Sequence, residues 1–193
     1  MRSVSAAGTP IGDEALAALQ RAVREVETHA ASSGGDAPPT LYALVPTDDL
    51  VHREPQLAGR LGLDPAAEVS GLTPVEQEPL DADRPLDQVL PQIAWPAAVV
   101  GAAVVLERLV LPAAAEAELP GSPGAAERFA ADHPGRTELR VAAGATREGR
   151  GHCVVRLRSH DNEADRLEGP DLVPGLLDLL AASLRPDAEV AAS

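Results

Sequence analysis

The hydrophobic pattern is dominated by an apolar run at 94–106, which resumes at 109–112 after the charged pair Glu107-Arg108. The uninterrupted part is shorter than the ~20 residues that a helix needs to cross a bilayer, and a charged pair would be costly in hydrocarbon. Paired valines are typical of a strand that is buried on both faces. We therefore predict that this run, entered through Trp95-Pro96, forms the central strand of a covered sheet.

Amphipathic helices are predicted near both ends of the chain. The first begins near Asp13 and ends near His29, and the last contains Pro174 in its first turn, where proline is tolerated. Their apolar positions recur at helical spacing: Leu16, Leu19, Val23 and Val26 in the first helix, and Leu172, Leu176, Leu179, Leu180 and Leu184 in the last. Between them the pattern predicts a strand at 41–45, a helix over 47–61 that Pro55 weakens, an edge strand within 69–79, a helical turn at 86–90 and a short helix at 122–131.

Alternating residues predict a hairpin whose strands, 137–148 and 152–159, are joined by a turn at 149–151. The predicted register sets Ala145 opposite Val155 and Ala143 opposite Leu157, which pairs inward residues with inward residues. The inward face contains Leu139, Val141, Ala143, Ala145, Cys153, Val155 and Leu157, and the outward face contains His152, Val154, Arg156 and Arg158.

The order of these elements predicts an α+β fold. We expect a single domain over 12–186, with a mainly antiparallel sheet of about five strands and helices packed on it. A chain of 193 residues can bury about 70% of its unfolded surface, so its stability requires no metal and no disulfide. Residues 1–11 are predicted to be a disordered leader, and 187–193 a disordered tail.

The charge balance narrows the classes of partner. A formal net charge of −14 repels phosphate backbones and anionic lipid surfaces, so we expect no nucleic-acid partner and no membrane binding. One cysteine and the absence of an apolar signal core at the N-terminus predict a cytoplasmic protein. All sixteen basic residues are arginines, which indicates a GC-rich genome and excludes Schiff-base and P-loop lysines. No cofactor is expected.

Three arginines form the strongest candidate site. Arg140, Arg156 and Arg158 share the outward face of the hairpin, with His152 nearby. Guanidinium groups clamp planar anions, so this face is a candidate anion-binding site. The alternative is a solvated face that balances the surplus of carboxylates.

A second candidate lies in the acidic segment that follows the hairpin. Asp161, Glu163 and Asp165 alternate after His160, as oxygen ligands do in a calcium loop. The segment lacks the central glycine and the distal glutamate of such loops. The alternative is an ordinary acidic loop before a helix, whose positive end favours acidic residues.

Catalytic motifs are not found in the sequence. Cys153 alternates with core positions and is predicted to be a small buried residue, not a nucleophile. No nucleophile elbow, dinucleotide fingerprint, zinc-protease motif or Cys-x-x-Cys pair is present.

The chain resembles an actinobacterial family of uncharacterised proteins in four segments: 90–108, which holds Trp95-Pro96 and is the most specific part, 138–142, 154–158 and 169–177. The likeness covers most of the chain after residue 13. It implies a compact intracellular protein without an assigned reaction, and it supplies no catalytic residue.

The sequence is therefore compatible with three functions. The first is a non-enzymatic interaction or accessory protein with a protein partner, or a homodimer formed by a self-pairing edge strand. The second is a small-anion or metabolite-binding enzyme that uses Arg140, Arg156 and Arg158. The third is a divalent-cation site at Asp161, Glu163 and Asp165.

Overall fold

Six strands form one sheet in the computed structural model, and every neighbouring pair in the sheet is antiparallel. The structure describes residues 11–32, 38–60, 62, 71–80, 84–158 and 166–185. The strand order is β2-β1-β3-β4-β5-β6. The strands are β1 (Thr40–Pro46), β2 (Leu72–Glu76), β3 (Gly101–Val110), β4 (Thr137–Thr146), β5 (Gly151–Leu157) and β6 (Arg166–Gly169).

The predicted α+β fold is confirmed, with one strand more than expected. The additional strand is β6, which pairs with β5. Its four residues are too short for alternation to distinguish them from a loop. The leader and tail predicted at 1–11 and 187–193 lie outside the described residues, except that Ile11 already belongs to the first helix.

One helix covers each face of the sheet. Helix α1 (Ile11–Ser32) packs across β2, β3, β4 and β5, and the much shorter α7 (Pro174–Ser183) packs on β3 and β4 of the other face. We call these the α1 face and the α7 face. The remaining helices are α2 (Thr47–Arg53), α3 (Pro55–Arg60), α4 (Leu86–Val89), a 3₁₀ turn (Leu90–Gln92), α5 (Ala113–Glu116) and α6 (Pro123–Asp132). No helix in the described ranges is both long and apolar enough to cross a membrane.

The predicted central strand is confirmed as β3, which both helices bury. Ala103 and Val105 contribute to the core beneath α1, whereas Ala102, Val104 and Leu106 contribute to the core beneath α7. Burial on both sides explains the continuous apolar run.

Trp95 precedes β3 instead of belonging to it, because the strand begins at Gly101. The indole Nε1 of Trp95 donates a hydrogen bond to Ser183 Oγ at 3.2 Å, which attaches this segment to the end of α7. Arg147 reinforces the attachment: its guanidinium donates to the carbonyl oxygens of Val99 and Leu184. The tryptophan is thus a packing anchor at the entrance to the strand.

The hairpin forms, but the predicted register is wrong by four residues. Ala145 lies opposite Gly151, and Ala143 lies opposite Cys153. The chain turns at 147–150, where Gly149 has a φ of +80°, so the turn begins earlier than predicted. Because the error is an even number of residues, each side chain still lies on the face that alternation assigned to it.

Helix α1 packs closely against the sheet at Gly144. A Cβ atom at this position would lie 2.6 Å from Val23 Cγ2, which is closer than packed atoms allow. We predict that Gly144→Ala lowers the free energy of unfolding by about 1–3 kcal/mol, because the helix or strand must shift. Urea denaturation measures this change. Gly124→Ala is the matched control, since a Cβ there meets nothing within 4 Å; equal effects of the two substitutions would contradict the prediction.

Candidate functional site

The arginine face of the hairpin lies beneath α1. Arg140 and Arg156 are cross-strand neighbours on β4 and β5, and both are buried. Glu27 of α1, which is 0% exposed, lies between them. Its Oε1 is 3.5 Å from Arg140 Nη1, and its Oε2 accepts a hydrogen bond from Arg156 Nη2 at 2.9 Å. The alternative of a solvated face is therefore wrong for these two arginines, because a helix covers them.

Glu107 extends this ion network toward solvent. One of its carboxylate oxygens is 3.6 Å from Arg140 Nη2, and the other accepts from Arg158 Nη1 at 3.1 Å. Arg158, which is partly exposed, also lies 3.0 Å from Glu138 Oε2. The charged pair that interrupts the apolar run of β3 thus supplies a carboxylate to the network.

The network neutralises its own charges. Its three carboxylates, Glu27, Glu107 and Glu138, match its three guanidinium groups, Arg140, Arg156 and Arg158. An anion from solvent would have to displace a buried carboxylate from its guanidinium partners, at a high cost in free energy. The three predicted arginines therefore lie in one chain of ion pairs, and two of the three are already engaged beneath α1.

His152 belongs to a separate cluster at the β5–β6 side of the same face. Its Nε2 is 3.3 Å from Glu168 Oε2, and Arg24 of α1 makes a bidentate contact to the same carboxylate, with Nη2 at 2.7 Å. The hydrogen bond from Arg24 lowers the pKa of Glu168. Burial lowers the pKa of His152, although Glu168 opposes this effect. The buried imidazole at this position ties β5 to β6.

The remaining candidates from the sequence are Cys153 and the proposed cation ligands, and the structure describes only the first of them. Cys153 is buried on the α7 face, as predicted, and burial raises the pKa of its thiol, which disfavours the nucleophilic thiolate. The proposed cation ligands Asp161, Glu163 and Asp165 lie outside the described residues. Within the described part of the chain, no three metal-ligating side chains converge.

An open apolar surface occurs where α7 ends short of the sheet edge. Leu106, Val141, Val155 and Leu167 form one cross-strand row on the α7 face, from β3 to β6. Burial decreases along this row: Leu106 and Val141 are buried, Val155 is half-buried, and Leu167 is 62% exposed. The row therefore continues from the core to the surface.

A groove of about 630 Å³ adjoins this row. Its sheet side is formed by Leu139, Val141 and Val155, and the α7 side by Leu172, Leu176 and Leu179. Leu172 and Val110, at its margins, are 41% and 40% exposed. We call this surface the α7 groove; Arg108 and Asp87 are its only charged lining residues in the described chain.

The apolar groove residues have the sequence pattern of a covered core, which does not predict an opening. Alternation assigned Leu139 and Val155 to the inward face, which is correct. Whether that face is covered depends on how far α7 extends over the sheet. A local sequence pattern does not show this extent.

We predict that Glu27→Gln lowers the free energy of unfolding by about 3–5 kcal/mol, because it leaves buried guanidinium groups without their carboxylate. Denaturant titration measures the loss. Exposed Glu25 lies on the same helix, and Glu25→Gln should change the stability by no more than about 0.5 kcal/mol. Similar losses in both variants would show that the buried ion pairs do not hold α1.

Acid is expected to destabilise the fold through His152. Its folded-state pKa lies below the ordinary value of 6.5, so the unfolded chain binds more protons as the pH falls through that value. The free energy of unfolding should therefore be lower at about pH 5.5 than at about pH 7.5, and His152→Gln should reduce this difference. Urea titrations at the two pH values test the prediction. Exposed His52 provides the control; a difference that His52→Gln reduces as much would refute it.

Comparison with known proteins gives a family but no activity. Residues 19–185 match the family described as PPA1309-like protein. No significant match is found among curated proteins or solved structures. The family description names no ligand and no reaction. Because the match spans well over half of the chain, this protein belongs to the PPA1309-like protein family.

Proposed function

We propose that this protein is a non-enzymatic accessory protein that binds a protein partner through the α7 groove and the adjoining β6 edge. The observation that carries the proposal is the apolar row that runs out of the core to Leu167, which is 62% exposed. Apolar surface that is continuous with the core and open to solvent is typical of interaction sites.

The occupant that fits best is an extended segment. Within the described chain, β6 pairs only with β5, so its other edge presents backbone donors and acceptors to an incoming strand. Such a strand would add to the sheet through main-chain hydrogen bonds. Every second side chain would then lie on the α7 face beside Leu167 and extend the apolar row.

The overall charge favours a segment with basic flanking residues. The chain has a formal net charge of −14, which repels acidic partners and steers basic ones. Among the described residues that line the groove, only Asp87 and Arg108 are charged, so its centre favours apolar contacts. The proposed partner segment is thus apolar at alternate positions and basic at its ends.

The ion network favours a protein-binding function over an enzyme that binds a small anion through these arginines. Arg140 and Arg156 are buried against Glu27, so these guanidinium groups are engaged with the protein's own carboxylates.

The exclusive use of arginine supports an origin in a GC-rich actinobacterium, and the single cysteine supports a cytoplasmic location.

Selection of peptides from a random phage-displayed library tests this proposal. We expect the wild-type protein to select segments with alternating apolar residues and basic flanks. Leu167→Asp should lower the affinity for the selected peptides by about tenfold or more, because it places a charge in the apolar contact. Isothermal titration calorimetry with synthetic peptides measures the change.

Leu109→Asp is the matched control. Leu109 is 44% exposed and lies near the end of β3, on the α1 face, so the same substitution there should leave peptide affinity unchanged. The proposal is overturned if peptide binding survives Leu167→Asp, or if no peptide is selected. It is also overturned if the wild-type protein is a dimer that Leu167→Asp converts to a monomer, since a second copy would then occupy the edge.

A further inference from the structure

A second cavity lies on the opposite side of the sheet, away from the α7 groove. It has a volume of about 400 Å³ and is lined by the first turns of α1, the start of β2 and the β4–β5 turn. Its walls are mainly apolar: Ala15, Ala18, Leu72 and Val100. We call it the α1 pocket.

Small side chains on α1 leave this space open. Farther along the helix, Leu19, Val23 and Val26 fill the gap between α1 and the sheet. At the earlier turns the corresponding positions are Ala15 and Ala18, which cannot reach the opposite wall. The apolar face of α1 fills the core farther along the helix. The pocket arises near the start of the helix, where the residues of this face are small.

Arg150 gives the pocket a polar end. Its side chain is 31% exposed, and its Nε donates to Glu148 Oε2 at 3.4 Å, a long contact to a carboxylate that is 71% exposed. The guanidinium lies against Gly12, where a Cβ atom would be 3.3 Å from Nη2. The absence of a side chain at Gly12 therefore lets the guanidinium pack against the start of α1.

The neighbouring arginine has a different role. The guanidinium of Arg147 donates to the carbonyl oxygens of Val99, Trp95 and Leu184, which engages it in holding β3 and α7 together. Arg150 makes no comparable set of contacts among the described residues. It is thus the guanidinium that the pocket offers to a ligand.

We infer that the α1 pocket binds a small carboxylic acid with an apolar body. The apolar part would lie against Ala15, Ala18, Leu72 and Val100, and the carboxylate would replace Glu148 on Arg150. A guanidinium and a carboxylate form paired, charge-assisted hydrogen bonds, whereas the existing contact to Glu148 is single and long. Glu14 and Glu148 at the exposed rim oppose an anion, so the apolar contacts must supply part of the affinity.

Three probes of the same chain length differ only in their head group: octanoate, 1-octanol and octylamine. Together they separate the contributions of the head group and the apolar body to the affinity. Isothermal titration calorimetry on the full chain should show octanoate binding about tenfold or more tightly than 1-octanol, because only the carboxylate forms charge-assisted hydrogen bonds. Bound octanoate should also raise the melting temperature. Octylamine should bind no better than the alcohol.

Two variants locate the site. Arg150→Gln should reduce the affinity for octanoate to that for 1-octanol. Ala15→Leu should lower the affinity for all three probes, because the larger side chain fills the pocket. Arg128→Gln, at an exposed arginine of α6, should change nothing. Equal binding of octanoate and 1-octanol, tighter binding of octylamine, absence of binding by any probe, or an unchanged affinity in Arg150→Gln would each overturn the inference. Because the pocket and the α7 groove are separate, failure here leaves the proposed protein-binding function standing.

Discussion

The burial of Glu27 between Arg140 and Arg156 is the interaction on which the arrangement of this protein depends. A carboxylate with no exposed surface is tolerated only when cations and hydrogen bonds compensate for its lost hydration. Its partners come from β4 and β5, so α1, β4 and β5 must all be in place before Glu27 contacts both arginines. This requirement selects one position of α1 on the sheet, and the close approach at Gly144 is compatible with that position.

The two faces of the sheet differ because their helices differ in length. Helix α1 has 22 residues and packs across β2, β3, β4 and β5, whereas α7 has 10, packs mainly on β3 and β4, and meets β5 where Leu177 lies beside Gly151. Charged side chains on the α1 face are therefore drawn into ion pairs beneath a helix. Apolar side chains on the α7 face remain accessible near β6. The two proposed sites lie where this covering is incomplete: at the end of α7, and beneath the small residues of α1.

Much of the fold follows from local patterns. The run in β3, the alternation in β4 and β5, and the helical stripes of α1 and α7 each state which residues share a face. The register of the hairpin did not follow, because a period of two residues cannot distinguish shifts of an even number. Strand β6 was missed, since four residues contain too little alternation. The α7 groove was missed as an opening, because its residues have the same pattern as a covered core.

The sequence by itself determined that Arg140, Arg156, Arg158 and His152 share one face, and that Cys153, Val155 and Leu157 share the other. Those assignments depend only on the geometry of an extended chain. Only the tertiary structure decided that Glu27 neutralises Arg140 and Arg156, because Glu27 lies more than a hundred residues from Arg140 along the chain. It also decided that Glu168 contacts His152. It also decided which apolar face stays open. The physical reason is that alternation defines the direction of a side chain, whereas burial depends on which distant element packs against it.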